Sequence, residues 1–167
     1  MYKKIILMAS VTGLLISATL AGAENDSSQS GWSRVFGRED RTTKKEAEVL
    51  VKKAVAAYSA NKVKALSDFT APSKRFAYKD FYILAYDGTG KCLAHGHNAK
   101  QVGNNLIGLK DSDGKAFVKE RIELANTKGT FWQYYKYYDP LSKKVLPKEM
   151  YCEKADDAII CGGIYKQ

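Results

Sequence analysis

The strongest constraint on the fold lies at the C-terminal end, where three strand-like runs follow one another: Thr130 to Tyr138, Lys148 to Lys154 and Ala158 to Tyr165. The loop Pro140 to Pro147 joins the first two, and Asp156-Asp157 joins the last two as a two-residue hairpin connection. Upstream, Phe81 to Tyr86 and Lys91 to His95 flank the turn Asp87-Gly88-Thr89-Gly90 and read as a further strand pair. Between the two groups, Phe117, Val118, Ile122, Leu124 and Ala125 mark a helix from about Lys115 to Asn126, which Gly129 stops. Ahead of everything, Ala47, Leu50, Val51, Ala54, Ala57 and Tyr58 recur at helical spacing, with lysines on the other side. Thr42 or Thr43 caps that helix, and Glu46 stands at capping-box spacing from Thr43. Asn61 marks a break or kink, and Pro72 ends whatever continues from it. The order predicts an α+β domain: a five-stranded, mostly antiparallel sheet, a long N-terminal helix, and a helix between the second and third strands.

The N-terminus sets where such a domain works. Lys3 and Lys4 precede the apolar run Ile5 to Leu20, and Ala21-Gly22-Ala23 follows, the order of a secretory signal peptide with cleavage after Ala23. The apolar run is shorter than the ~20 residues of a spanning helix, so no stable membrane span is expected after cleavage. Residues 1–23 are therefore expected to be a signal peptide, 24–41 a flexible tether rich in Ser, Asp, Gly and Arg, and 42–167 a single domain. The whole chain carries +9; without its leader it keeps 25 basic against 18 acidic residues, +7 over 144 residues. An exported protein, periplasmic or secreted, does not meet chromosomal DNA or RNA, and its lysines are scattered, so no nucleic-acid partner is expected. What remains is an attraction for anionic small molecules.

The string Tyr86-Asp87-Gly88-Thr89-Gly90-Lys91-Cys92-Leu93-Ala94-His95-Gly96, then Val102-Gly103-Asn104-Asn105-Leu106, then Lys110 to Val118, resembles a single Cache domain. Gly129 to Pro140, with Trp132, Tyr135 and Tyr137, the Pro147 to Tyr151 segment and Gly163-Ile164-Tyr165 complete the resemblance, which runs over roughly residues 43 to 166. It implies a PAS-like five-stranded sheet with a long helix on one face and a ligand pocket on the other. It also implies extracytoplasmic sensing of small organic acids or other metabolites. Receptor members continue into a transmembrane helix and a signalling module, whereas this sequence stops at Gln167. The expectation is a freestanding binding protein that presents or buffers its ligand, or that docks on a separate membrane receptor or sensor kinase.

Strand alternation puts Tyr135 and Tyr137 on one face with Phe131 and Gln133, and Trp132, Tyr134, Lys136 and Tyr138 on the other. On the pocket face, Tyr135 and Tyr137 would donate hydrogen bonds to a carboxylate while their rings wall its apolar end. The resemblance adds Lys148, at the head of the next strand, as a counter-charge, and His95 as a residue that lines the pocket or closes its strand. Cys92, His95 and His97 suggest a metal set, but three ligands lack a fourth, and alternation places Cys92 across the strand from His95, so no metal is expected. The partial calcium loop around Asp111, Asp113 and Glu120 fails because Leu109 occupies its first position; its aspartates are expected to cap the helix near Lys115. Outward from Asp156-Asp157, Cys152 opposes Cys161, close enough for a cross-strand disulfide, and the family more often has an aliphatic residue and a glycine there. Export favours oxidation, leaving Cys92 as the odd thiol. No nucleophile elbow, phosphate loop or paired-carboxylate pattern is found, so neither catalysis nor a cofactor is expected.

Overall fold

A computed structural model describes residues 41–71 and 75–166. The predicted leader, nearly all of the tether, Pro72 and Gln167 lie outside the described residues. Helix α1 (Lys44–Ala60) opens with the expected box: Glu46 N–H donates to Thr43 Oγ1 at 3.3 Å, and Thr43 N–H donates to Glu46 Oε2 at 2.6 Å. Asn61 ends α1 in an extended conformation, and its side chain caps α2 (Lys62–Thr70), so the break is a new helix start.

The strands are β1 (Ala77–Tyr78), β2 (Phe81–Asp87), β3 (Cys92–His95), β4 (Thr130–Tyr138), β5 (Val145–Ala155) and β6 (Ala158–Tyr165), and α3 (Phe117–Lys128) lies between β3 and β4. All pair antiparallel in the order β1-β2-β6-β5-β4, with β3 also on β2. The two-residue β1 adds to the five expected strands; its length is too short for a periodic signal. Gly129, at φ +72°, ends α3 and turns the chain into β4. Strand β5 starts at Val145, so Lys148 is not at its head but inside it, opposite Tyr135 on β4 and Tyr165 on β6.

The sheet divides the core in two. Phe81, Ile83, Ala85, Tyr151, Ile160 and Ile164 face α1 and α2, where they meet Leu50, Val51, Ala54 and Phe69. Tyr82, Leu84, Tyr86, Phe131, Tyr135, Met150 and Ile159 face α3, where they meet Phe117, Val118 and Ile122. The disulfide lies on this second face: Cys152 and Cys161 are register partners 4.2 Å apart at Cα and are bonded. Asp156, at φ +50°, makes the tight turn that sets that register.

Gly162 and Gly163 let large residues cross β6 on both faces. A Cβ on Gly162 would strike the Phe81 ring, and one on Gly163 would lie 2.7 Å from Lys148 Cε. The pair thus makes room for Phe81 beneath the helices and for the Lys148 stem on the opposite face.

Two expectations are corrected. Alternation put Cys92 and His95 on opposite faces, but Ala85 pairs with Ala94 while Tyr86 pairs with Cys92, so the register slips by one residue. Leu93 is the extra residue, and the bulge turns both Cys92 and His95 toward the α3 side. Asp111 does not cap α3, whose N-cap is Ala116 with no side-chain hydrogen bond. Its carboxylate is used elsewhere: Oδ1 accepts from the Asp113 and Lys115 amides, and Oδ2 accepts from the Lys136 amide, tying the loop to β4.

Candidate functional site

Four side chains singled out from the sequence, Tyr135, Tyr137, Lys148 and His95, come together on the α3 face of the sheet. Lys148 is 1% exposed, and its Nζ donates to Tyr82 OH at 2.7 Å and to Tyr165 OH at 3.0 Å. The ammonium also sits over the rings of Tyr82, Tyr165 and Tyr137, at 4.3, 4.4 and 5.7 Å from their centroids. Tyr165 OH donates onward to the Tyr138 carbonyl at 2.8 Å. Burial first, then the Arg121 charge, hold the Lys148 pKa well below its ordinary value, while Asp80 and Asp139 act the other way.

Arg121 was not singled out from the sequence. It projects from α3, is 1% exposed, and donates through Nε to Gln133 Oε1 at 3.0 Å. Gln133 is fixed in turn by the Phe117 carbonyl and Glu120. The guanidinium lies among the rings of Tyr86, Tyr135 and Phe117, at 5.3, 5.3 and 5.6 Å, yet Nη1 and Nη2 have no hydrogen-bond partner. Burial works against its charge, but the nearby phenols of Tyr135 and Tyr86 outweigh it and raise its pKa. These phenols act first through charge and then as near hydrogen-bond partners of the guanidinium, although neither meets hydrogen-bond geometry at the Nη atoms. A signal for Arg121 existed: it stands three residues after Val118 and four after Phe117, inside the apolar stripe of its helix.

His95 stacks on Tyr82 with ring centroids 5.3 Å apart. Its Nδ1 accepts from the amides of Asn98 at 3.0 Å and His97 at 3.3 Å, which places the proton on Nε2. Burial, then the charge of Lys148, lower its pKa to about 4, so it is a neutral donor at pH 7. Burial likewise pushes the Tyr82, Tyr135 and Tyr165 phenols up, and they remain protonated. Cys92 lies on the same face, with its thiol raised to about 11 by burial. Among the described residues no three His, Cys, Asp or Glu side chains are placed to hold a metal ion.

An open cleft of about 420 Å³ adjoins the end of β4 and β5 and touches Tyr135 and Lys148. Its other lysines are neutralised: Lys115 pairs with Glu120 at 2.9 Å, Lys136 with Asp113 at 2.9 Å, and Lys166 with Glu149. Lys148 and Arg121 differ, because no carboxylate among the described residues pairs with either.

The described residues thus form an antiparallel sheet with α1 and α2 on one face, and α3 over a buried aromatic cluster that holds Arg121 and Lys148 on the other. Residues 38–166 match the family model of single Cache domain 2, and the chain belongs to that family. Among solved structures it is similar to a methyl-accepting chemotaxis protein from Vibrio parahaemolyticus, at 24% identity and a TM-score of 0.62, over 83% of this chain and 93% of that one. It is also similar to a Cache chemosensory domain solved for its recognition of carboxylic acids, at 19% identity and 0.64, over 74% and 92%. A periplasmic sensor domain of a chemotaxis protein follows, at 20% identity and 0.59, over 74% and 90%. A comparison with curated proteins finds no match. Among the described residues no helix is long and apolar enough to cross a membrane.

Proposed function

We propose that this chain is an exported single Cache domain that binds a small carboxylate on the α3 face of its sheet, without chemical turnover, for extracytoplasmic sensing or ligand presentation. The observation that carries the reading is the Arg121 guanidinium, which is buried with two nitrogens that nothing among the described residues accepts from. A permanently charged group left unpaired in a core is strongly unfavourable, and a carboxylate matches its fork. Lys148, Tyr135, Tyr137 and His95 supply further donors and ring walls around it. The carboxylic acid recognised by one similar Cache domain supports the same class of ligand. The leader-like residues 1–23 support cleavage after Ala23 and periplasmic or secreted placement, with 24–41 as the tether.

The test is a thermal-shift screen of organic acids, amino acids and amines, because a ligand that binds only the folded state raises its melting temperature. Short organic acids are expected to shift it, and Lys148→Ala to weaken binding of the acid that shifts it most at least about tenfold, or ~1.4 kcal/mol, by calorimetry. Unchanged affinity in that variant would remove Lys148 from the site. A second reading, an accessory that docks on a membrane sensor, is favoured by the exposed Tyr134, Tyr138, Leu141 and Val145 around the free edge of β4. It gains if no small molecule shifts the transition.

A further inference from the structure

We propose that the site takes a dianion with two carboxylates, one gripped by Arg121 and the other by Lys148 with Tyr82. The proposal rests on the carboxylate reading above and goes further by assigning each end of the ligand a separate pole.

The two cations are near enough for the Arg121 charge to act on Lys148, but their ring contacts differ. Arg121 stands among Tyr86, Tyr135 and Phe117, and Lys148 among Tyr82, Tyr137 and Tyr165; among the described residues they share no ring. Their anchors on the sheet also differ. Arg121 is held at Gln133, whereas Lys148 is level with Tyr135, two residues further along β4, or about 7 Å of strand.

A count of donors gives each pole its capacity. Arg121 Nε is taken by Gln133, which leaves the Nη1 and Nη2 fork, and that fork fits both oxygens of one carboxylate. Lys148 has three N–H groups; Tyr82 and Tyr165 accept two, and one remains. Tyr165 spends its own hydrogen on the Tyr138 carbonyl, but the Tyr82 hydroxyl has only a 3.5 Å contact with Tyr165, so its hydrogen is available beside the third Lys148 N–H. A single carboxylate seated in the Arg121 fork would leave these donors without an acceptor.

The charges agree with the count. Asp80 and Asp139, the acids that act on Lys148 through space, are both bound by Arg41, at 3.2 and 2.9 Å. Among the described residues no carboxylate is left to pair with Lys148. Burial and the Arg121 charge lower the Lys148 pKa, and an anion seated beside the amine would favour its ammonium form. The inference discriminates sharply, because a second carboxylate entering a site without a second pole is penalised by its own desolvation.

Calorimetry on the full chain at pH 7, comparing malonate with propionate, succinate with butyrate and glutarate with valerate, tests the assignment. In at least one pair the diacid is expected to bind about tenfold or more tightly than its monoacid. Lys148→Met should erase that difference by weakening the diacid and sparing the monoacid, while Arg121→Met should weaken both. Monoacids that bind as tightly as diacids in every pair overturn the two-pole assignment and leave the carboxylate reading standing. So does a Lys148→Met variant that weakens both members equally. If none of the six acids binds, both readings fall together. Should a variant not fold, as judged by circular dichroism, the wild-type ratios alone decide.

Discussion

A guanidinium with two unpaired nitrogens opposes the stability of the core that encloses it. Replacing a buried ionic group with an apolar one of similar volume is often neutral or stabilising by roughly 1–4 kcal/mol, against about 1 kcal/mol for the lost bond to Gln133. Arg121→Met is therefore expected to melt no lower than the wild type while losing its acid-induced thermal shift. A fall of more than about 2 kcal/mol in chemical denaturation would instead make Arg121 a structural residue. His95 carries a separate pH prediction. The unfolded imidazole takes up a proton near pH 6.5, whereas the folded one does so only near pH 4. Between those values the unfolded state binds more protons, so His95 contributes fully above pH 6.5, and its contribution is lost as pH falls toward 4. The loss is on the order of 3 kcal/mol. His95→Asn keeps an acceptor for the Asn98 amide but removes the titration, and it should flatten the stability profile across that interval. An unchanged slope would place the acid sensitivity elsewhere. Both residues also mark where sequence reading stops. An arginine inside an apolar stripe is a weak signal, because arginines ordinarily cover surface, and the direction of His95 depends on a bulge at Leu93 that alternation does not encode.

Elements were far more legible than side chains. Strands β4 and β6 fall where alternation and aromatic content put them, and α1 starts at its capping box, because each signal is local. Strand β5 runs back to Val145 through Pro147, which sequence reading gave to the loop. Pro147 keeps its place there opposite Lys136, its carbonyl accepting from the Lys166 amide. The hairpin Asp156-Asp157 sets Cys152 opposite Cys161, since a two-residue turn leaves one register. This bond closes a loop with a sequence separation of 9, so its removal should cost about 2.5 kcal/mol. Alkylation of the unfolded, unreduced protein should modify one cysteine by intact mass, and modification of all three would rule the bond out. Gly163 gives an element-scale test of the site. A methyl group there meets Lys148 Cε at 2.7 Å, so Gly163→Ala should displace the ammonium from Tyr82 and Tyr165 and weaken acid binding severalfold with the fold intact. Unaltered affinity would mean that the lysine stem is free to move aside.

Across the molecule, the α3 face is linked by hydrogen bonds to Arg41, the first of the described residues. Lys148 binds Tyr165 OH, Tyr165 OH binds the Tyr138 carbonyl, and the next residue, Asp139, accepts from Arg41 at 2.9 Å. Arg41, assigned to the tether by composition, also reaches Asp80 at 3.2 Å, and the Thr42 amide reaches the same carboxylate. Asp139 further accepts from the amides of Leu141 and Ser142 and from Ser142 Oγ, which fixes the loop between β4 and β5. Both acids are fully buried and Arg41 is partly exposed, so the pair energies are screened on one side only. Arg41→Ala would leave two buried carboxylates without their cation, a loss of about 2 kcal/mol after that discount. It should also loosen the segments around Asp80 and Asp139 locally, because the guanidinium is the bridge that joins the two. Hydrogen exchange is expected to rise at residues 78–82 and 138–144 and to stay unchanged in α3. Because the same segment holds Tyr165, acid affinity should fall with it. Raised exchange at both segments with acid affinity unaltered would mean that Arg41 fixes the loops without communicating with the ligand face. Unchanged exchange would mean that the two loops hold their positions without Arg41.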